Sequence, residues 1–127
     1  MRLFRSVTLL LILLFRASTD LFCADQFVVV LDAGHGGKDP GAVNGKAQEK
    51  NINLNVALKL GKLIQNNCKD VSIVYTREKD IFVGLDRRAQ IANNAKADLF
   101  ISIHTNSVAR GRTVRGTETY TLGLHRT

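Results

Sequence analysis

A chain of 127 residues with one proline, no low-complexity stretch and no internal repeat has the length of a single domain and no more. Its 18 Lys and Arg against 11 Asp and Glu give a formal charge of +7. The basic cluster Arg110, Arg112 and Arg115 has no aromatic residue between its members to stack on bases, so nucleic acid is not an expected partner.

The first 24 residues read as an address rather than as structure. Arg2 and Arg5 precede the apolar run 7–15, in which only Thr8 is less than apolar, and Arg16 stops it. That run is far short of the roughly 20 residues that cross a hydrocarbon core, and it suits the central part of a secretory signal peptide. Residues 1–24 are therefore expected to be removed near Cys23 or Ala24, which gives an exported protein, periplasmic or extracellular, without a stable membrane span. The bulky Phe22 before Cys23 argues against a lipoprotein site. Three arginines and one aspartate leave with the leader, so the charge falls from +7 to +5, and Cys68 is left with no partner for an internal disulfide. At the end of a helix it reads as a small packing residue.

Residues 25–127 are expected to form one module. Phe27-Val28-Val29-Val30-Leu31 is wholly apolar with a β-branched centre, which predicts a strand buried on both faces, ending at Asp32 and a glycine cluster. Three- and four-residue spacing of Val56, Ala57, Leu60, Leu63 and Ile64, with Asn55, Lys59, Lys62 and Asn66 opposite, predicts an amphipathic helix over 51–66. A strand at 71–76 follows, then a helix over 84–95 with Leu85, Ala89 and Ala92 inward and Asp86 near its positive end. Asp98-Leu99-Phe100-Ile101-Ser102-Ile103 predicts a second buried strand, and Gly116-Thr117-Glu118-Thr119-Tyr120-Thr121 an edge strand. Strand, helix, strand, helix, strand implies right-handed crossovers and an α/β fold: an open, largely parallel sheet with flanking helices in three layers.

In such a sheet His35 and His104 each follow the carboxyl end of a strand, so both reach the rim where ligands bind. Two histidines and one carboxylate are the donor set that a catalytic zinc takes from protein while keeping one position open. Taken alone, Glu49 reads more readily as a carboxylate stabilised at a helix start than as a ligand. The glycines do not form a phosphate loop, since Asp39 stands where the third glycine of the dinucleotide pattern belongs and Ala47 follows Gly45-Lys46.

The run Asp32-Ala33-Gly34-His35-Gly36-Gly37-Lys38-Asp39-Pro40-Gly41, the segment Gln48-Glu49-Lys50-Asn51-Ile52-Asn53-Leu54, Thr76-Arg77, and the stretch from Arg88 through Ser102-Ile103-His104-Thr105-Asn106 resemble, in order, the catalytic domain of the zinc-dependent N-acetylmuramoyl-L-alanine amidases of bacterial cell walls. The resemblance implies one Zn2+ held by His35, Glu49 and His104, and peptidoglycan as the partner. The bond cut joins N-acetylmuramic acid to L-alanine. Asp32 and Asn106 are then candidates to orient ligands or substrate, Asp32 reading equally as a residue that caps its loop. The family's general-base glutamate, on a late strand, has no counterpart here: Glu118 is the one acidic residue after Asp98 and precedes the place for it. That glutamate is expected beyond Thr127, and the domain is expected to be incomplete at its C-terminus. Two other readings are a zinc- and peptidoglycan-binding protein without catalysis, and an unrelated zinc peptidase, which the Asp-x-Gly-His-Gly-Gly motif argues against. Oligomeric state, regulation and glycan preference are left open.

Overall fold

The computed structural model describes residues 26–107 and 116–121. The expected leader, the basic cluster at 110–115 and His125 lie outside them. Strand β1, Phe27–Ala33, runs down the middle of a parallel sheet, with β4, Val71–Tyr75, on one side and β5, Leu99–Ile103, on the other. Between β1 and the first helix lies a two-residue hairpin, β2 at Val43–Asn44 and β3 at Ala47–Gln48. Helix α1 spans Glu49–Asn67 and α2 spans Leu85–Asn94.

Strand order β4-β1-β5 means that the chain steps to one side of β1 through α1 and back across it through α2. Right-handed crossovers in opposite directions put the two helices on opposite faces, so the expected open α/β sheet in three layers is found. The buried core is small and central: Val29, Val30, Leu31 and Ala33 of β1, with Ala57 of α1. Register places Leu31 beside Tyr75 of β4, and Ala33 beside Ile103 of β5. The residues that follow β1 and β5 therefore leave the sheet at one rim.

Helix α1 begins two residues earlier than the periodicity predicts, so Glu49 lies inside its first turn. The buried stripe is Glu49, Asn53, Ala57 and Gly61, an i, i+4 row. Val56 and Leu63, expected inward, are exposed. Close approach decides this: a Cβ on Gly61 would overlap the Tyr75 hydroxyl, so the helix meets β4 along its smallest residue and turns the larger apolar ones aside. Cys68, expected to pack, caps the helix in solvent.

Helix α2 departs further. Leu85, at 85% exposure, and Ala89 do not pack on the sheet, and the residue buried on this helix is Arg88. Leu85 and Ala89 instead line an open cavity of about 760 Å³ between α2 and the face of β5 that carries Phe100 and Ser102. For the same reason β5 is half-exposed rather than buried on both faces. The expected edge strand at 116–121 has no strand conformation: β-branched residues favour a strand only when a neighbour completes the ladder, and none pairs with them among the described residues. No helix among the described residues is long and apolar enough to cross a membrane.

Candidate metal centre

The sheet rim gathers three donors that are far apart in sequence. One ligand atom each from His35, Glu49 and His104 lie within 4.8 Å of one another. Nε2 of His35 is 3.3 Å from Oε2 of Glu49, and Nδ1 of His104 is 3.2 Å from Oε1. The two imidazoles meet edge to face, with ring centroids 4.9 Å apart.

Each donor is delivered by local structure. His104 follows the last residue of β5, and the N–H of Gly34 donates to the Ile103 carbonyl at 3.0 Å, carrying the β1–β5 pairing one step further. Gly34 has to be glycine, because a Cβ there would collide with the His104 ring. His35 takes a left-handed backbone, φ 63°, which turns its ring back across the rim. Glu49 returns to the rim because the hairpin folds the chain over: its N–H donates to the Ala42 carbonyl at 2.9 Å, and its Oε2 accepts the Ala42 N–H at 2.9 Å.

The Glu49 carboxylate is buried, 5% exposed. Burial by itself would raise its pKa. The N–H groups of Ala42 and Thr105, the Asn53 amide and the His35 ring outweigh burial and hold the pKa at about 2. Asn53, one turn along α1, also donates to the Gly34 carbonyl at 3.3 Å and accepts the Thr105 hydroxyl at 2.7 Å. One buried amide thus ties together the three segments that carry the donors.

Asp39, which the sequence reading passed over as a functional residue, places an Oδ2 2.8 Å from His35 Nδ1. A carboxylate only accepts, so Nδ1 carries a proton and donates it to Asp39, and Nε2 is the ring nitrogen turned toward Glu49. That interaction with His35 is the main cause holding the Asp39 carboxyl below its ordinary value. Spacing carried the signal: an aspartate four residues after a histidine, across a glycine turn.

Asp32 touches neither histidine. Buried at the end of β1, it accepts hydrogen bonds from Thr76 Oγ1, Ser102 Oγ at 2.7 Å and Arg88 Nη1. Burial raises its pKa, and these three partners more than reverse that, leaving it lowered. Asn106 lines a second groove, with Glu49, Asn44 and Ile52. Glu118 lies elsewhere, accepting the Tyr120 hydroxyl. Arg77 and Arg88 entered the sequence reading only as parts of longer motifs, because nothing local announces a buried guanidinium.

Known proteins resemble this chain in sequence and in fold. Residues 29–126 match the N-acetylmuramoyl-L-alanine amidase family. The sporulation-specific N-acetylmuramoyl-L-alanine amidase of Bacillus subtilis is 44% identical over 79 residues, covering 62% of this chain and 31% of that protein. The endolysin of Bacillus phage SPP1 is 46% identical over 93 residues, covering 73% and 33%. The solved catalytic domain of CwlV, an N-acetylmuramoyl-L-alanine amidase from Bacillus (Paenibacillus) polymyxa var. colistinus, superposes with a TM-score of 0.64 at 45% identity, covering 68% of this chain and 49% of that domain. The chain thus spans about a third of the length of these two relatives and about half of the solved domain. With a match over most of its length and a shared parallel sheet, the chain belongs to the N-acetylmuramoyl-L-alanine amidase family.

Proposed function

We propose that this chain carries the zinc centre of an exported amidase that hydrolyses the bond between N-acetylmuramic acid and L-alanine in peptidoglycan. The observation that carries the reading is the convergence of His35, Glu49 and His104 on one point of the sheet rim. Two imidazole nitrogens and one carboxylate fit zinc, with a fourth position free for water or substrate. A zinc ion held there supplies Lewis acidity, polarising an amide carbonyl and acidifying water toward a pKa of about 7.

The chain's own residues bind and orient. Asp39 keeps the proton on His35 Nδ1, and Asn53 with the Thr105 N–H fixes the Glu49 carboxylate. The carboxylates that the described residues bring to the site are each engaged: Asp32 with Arg88, Asp39 with His35, Glu49 between the histidines. Proton transfer to the departing amine needs a further acid/base. Hydrolysis is therefore proposed for the whole catalytic domain of the family, of which this chain matches about half.

Elemental analysis of the purified chain tests the metal. One zinc per chain is expected, and His35→Ala or His104→Ala should abolish stoichiometric uptake; equal zinc in either variant would overturn the ligand set. Stem peptide released from purified peptidoglycan by the whole protein tests the reaction. Zinc uptake and wall binding without release would favour the binding protein instead. Export is tested by mass spectrometry of a tagged copy expressed in a bacterium: a chain outside the cytoplasmic membrane lacking its first 22 to 24 or so residues is expected, and an intact cytosolic chain contradicts it.

A further inference from the structure

Two arginines beside the site lie buried, Arg77 at 3% exposure and Arg88 at 6%. Buried guanidinium ions are costly unless their donors are matched. Here the matching acceptors are concentrated on one short stretch of chain. Arg88 donates through Nη1 to the Ala33 carbonyl at 2.8 Å, through Nη2 to the His35 carbonyl at 2.8 Å and through Nε to the Val83 carbonyl at 3.0 Å, while Asp32 balances its charge. Arg77 donates through Nε to the Ala33 carbonyl at 2.8 Å and through Nη2 to the carbonyls of Gly34, at 3.0 Å, and Lys50, at 2.8 Å. Three consecutive carbonyls, those of residues 33, 34 and 35, are thus held from the side by two planar ions. The Lys50 carbonyl belongs to the turn that carries Glu49.

The last residue of the clamped stretch has an unfavourable backbone conformation. His35 sits at φ 63°, a region that a residue with a Cβ occupies at a cost and keeps only when its surroundings over-determine it. Asp39 fixes which nitrogen of the ring is free, and its backbone pairs with that of Gly36, after the histidine, but it makes no bond to the carbonyls of residues 33–35. The carbonyls of Ala33 and His35 are held by the arginines, and that of Gly34 by Arg77 together with Asn53.

We propose that Arg88, with Arg77 beside it, is a positioning residue for the metal centre: the two guanidinium groups lock the 33–35 backbone so that His35 presents Nε2 to Glu49 and His104. The inference rests on the metal reading above and adds to it the device that preorganises one donor. Lysine cannot substitute, because a single ammonium is a point donor and does not span acceptors that a planar fork reaches together.

Cobalt(II) is the probe, since its visible spectrum reports donor geometry as well as occupancy. The full chain, Arg88→Lys, Arg77→Lys and the core control Val30→Ala are titrated at a temperature where each is folded by circular dichroism. Arg88→Lys is expected to weaken cobalt binding about 10- to 100-fold and to alter the visible bands. Val30→Ala, which removes buried volume away from the clamp, is expected to lower the thermal midpoint yet bind cobalt as the unaltered chain does. Unchanged affinity and spectrum in Arg88→Lys overturn the positioning role, as does an equal loss of affinity in Val30→Ala. Should Arg88→Lys not fold, Arg77→Lys is read by the same two criteria. An unaltered chain that takes up no cobalt overturns the metal assignment itself, and the inference with it.

Discussion

Asp32 shows how a residue beside a site can join the elements around it without bonding to its donors. Its carboxylate gathers Thr76 from β4's end, Ser102 from β5 and Arg88 from α2, so one side chain joins three elements. The folded-state pKa lies below the ordinary 3.8, because these hydrogen bonds and the Arg88 charge outweigh burial. A carboxyl depressed by folding contributes stability that is fully present above its unfolded pKa and is lost as pH falls through the folded value. Acid unfolding of the chain should therefore steepen below about pH 4. Asp32→Asn keeps the shape and removes the charge; it should lower stability at neutral pH by about 1 to 3 kcal/mol and flatten the acid slope, as read from denaturant midpoints across pH. An unchanged slope would place the acid sensitivity elsewhere.

Among the elements, α1 is set by a contact smaller than any apolar side chain. Gly61 lies against Tyr75, and the row from Glu49 through Asn53 and Ala57 to Gly61 is the one that is buried. Glycine within a helix ordinarily costs about 1 kcal/mol relative to alanine, so Gly61→Ala would stabilise an isolated helix. In this fold it should destabilise by about 1 to 3 kcal/mol, because the added methyl meets the Tyr75 hydroxyl. Adding Tyr75→Phe, which removes that hydroxyl, should recover part of the loss, and the coupling is measured by a double-mutant cycle in urea. Simple additivity would show that the contact does not set the helix position.

For the whole molecule, the proposed metal is also a cross-link. Its donors follow β1, open α1 and follow β5, so an ion held by all three ties the central strand to one neighbour and to the helix above. An unfolded chain has no such convergence, and binding is then folding energy. Zinc at 100 times its Kd should stabilise the chain by about 2.7 kcal/mol, seen as a rise of several degrees in the thermal midpoint that a chelator reverses. His104→Ala should show no rise. The same small molecule leaves Leu85, Phe82 and Phe100 exposed around the α2 cavity, so its own burial gives limited stability and the contribution of the ion stands out.

The strands of the sheet, both helices and their alternation were legible because buried parallel strands and a surface helix write different periods into a chain, and the histidines were legible because each stands within two residues of a strand's carboxyl end. Glu49 was found through the motif around it, since a carboxylate at a helix start looks the same with or without a ligand role. What the sequence left undetermined was which face of each helix is buried and which polar groups hold the donors. A glycine opposite Tyr75 moves the buried row of α1, and Arg88 displaces Leu85 and Ala89 from the packed face of α2. Asp39, Asn53, Arg77 and Arg88 acquire their roles from rings, carbonyls and carboxylates up to 56 positions away, such as Asp32 for Arg88. Hydrogen bonds reach about 3 Å through space and carry no trace along the chain, so only the folded arrangement decides them.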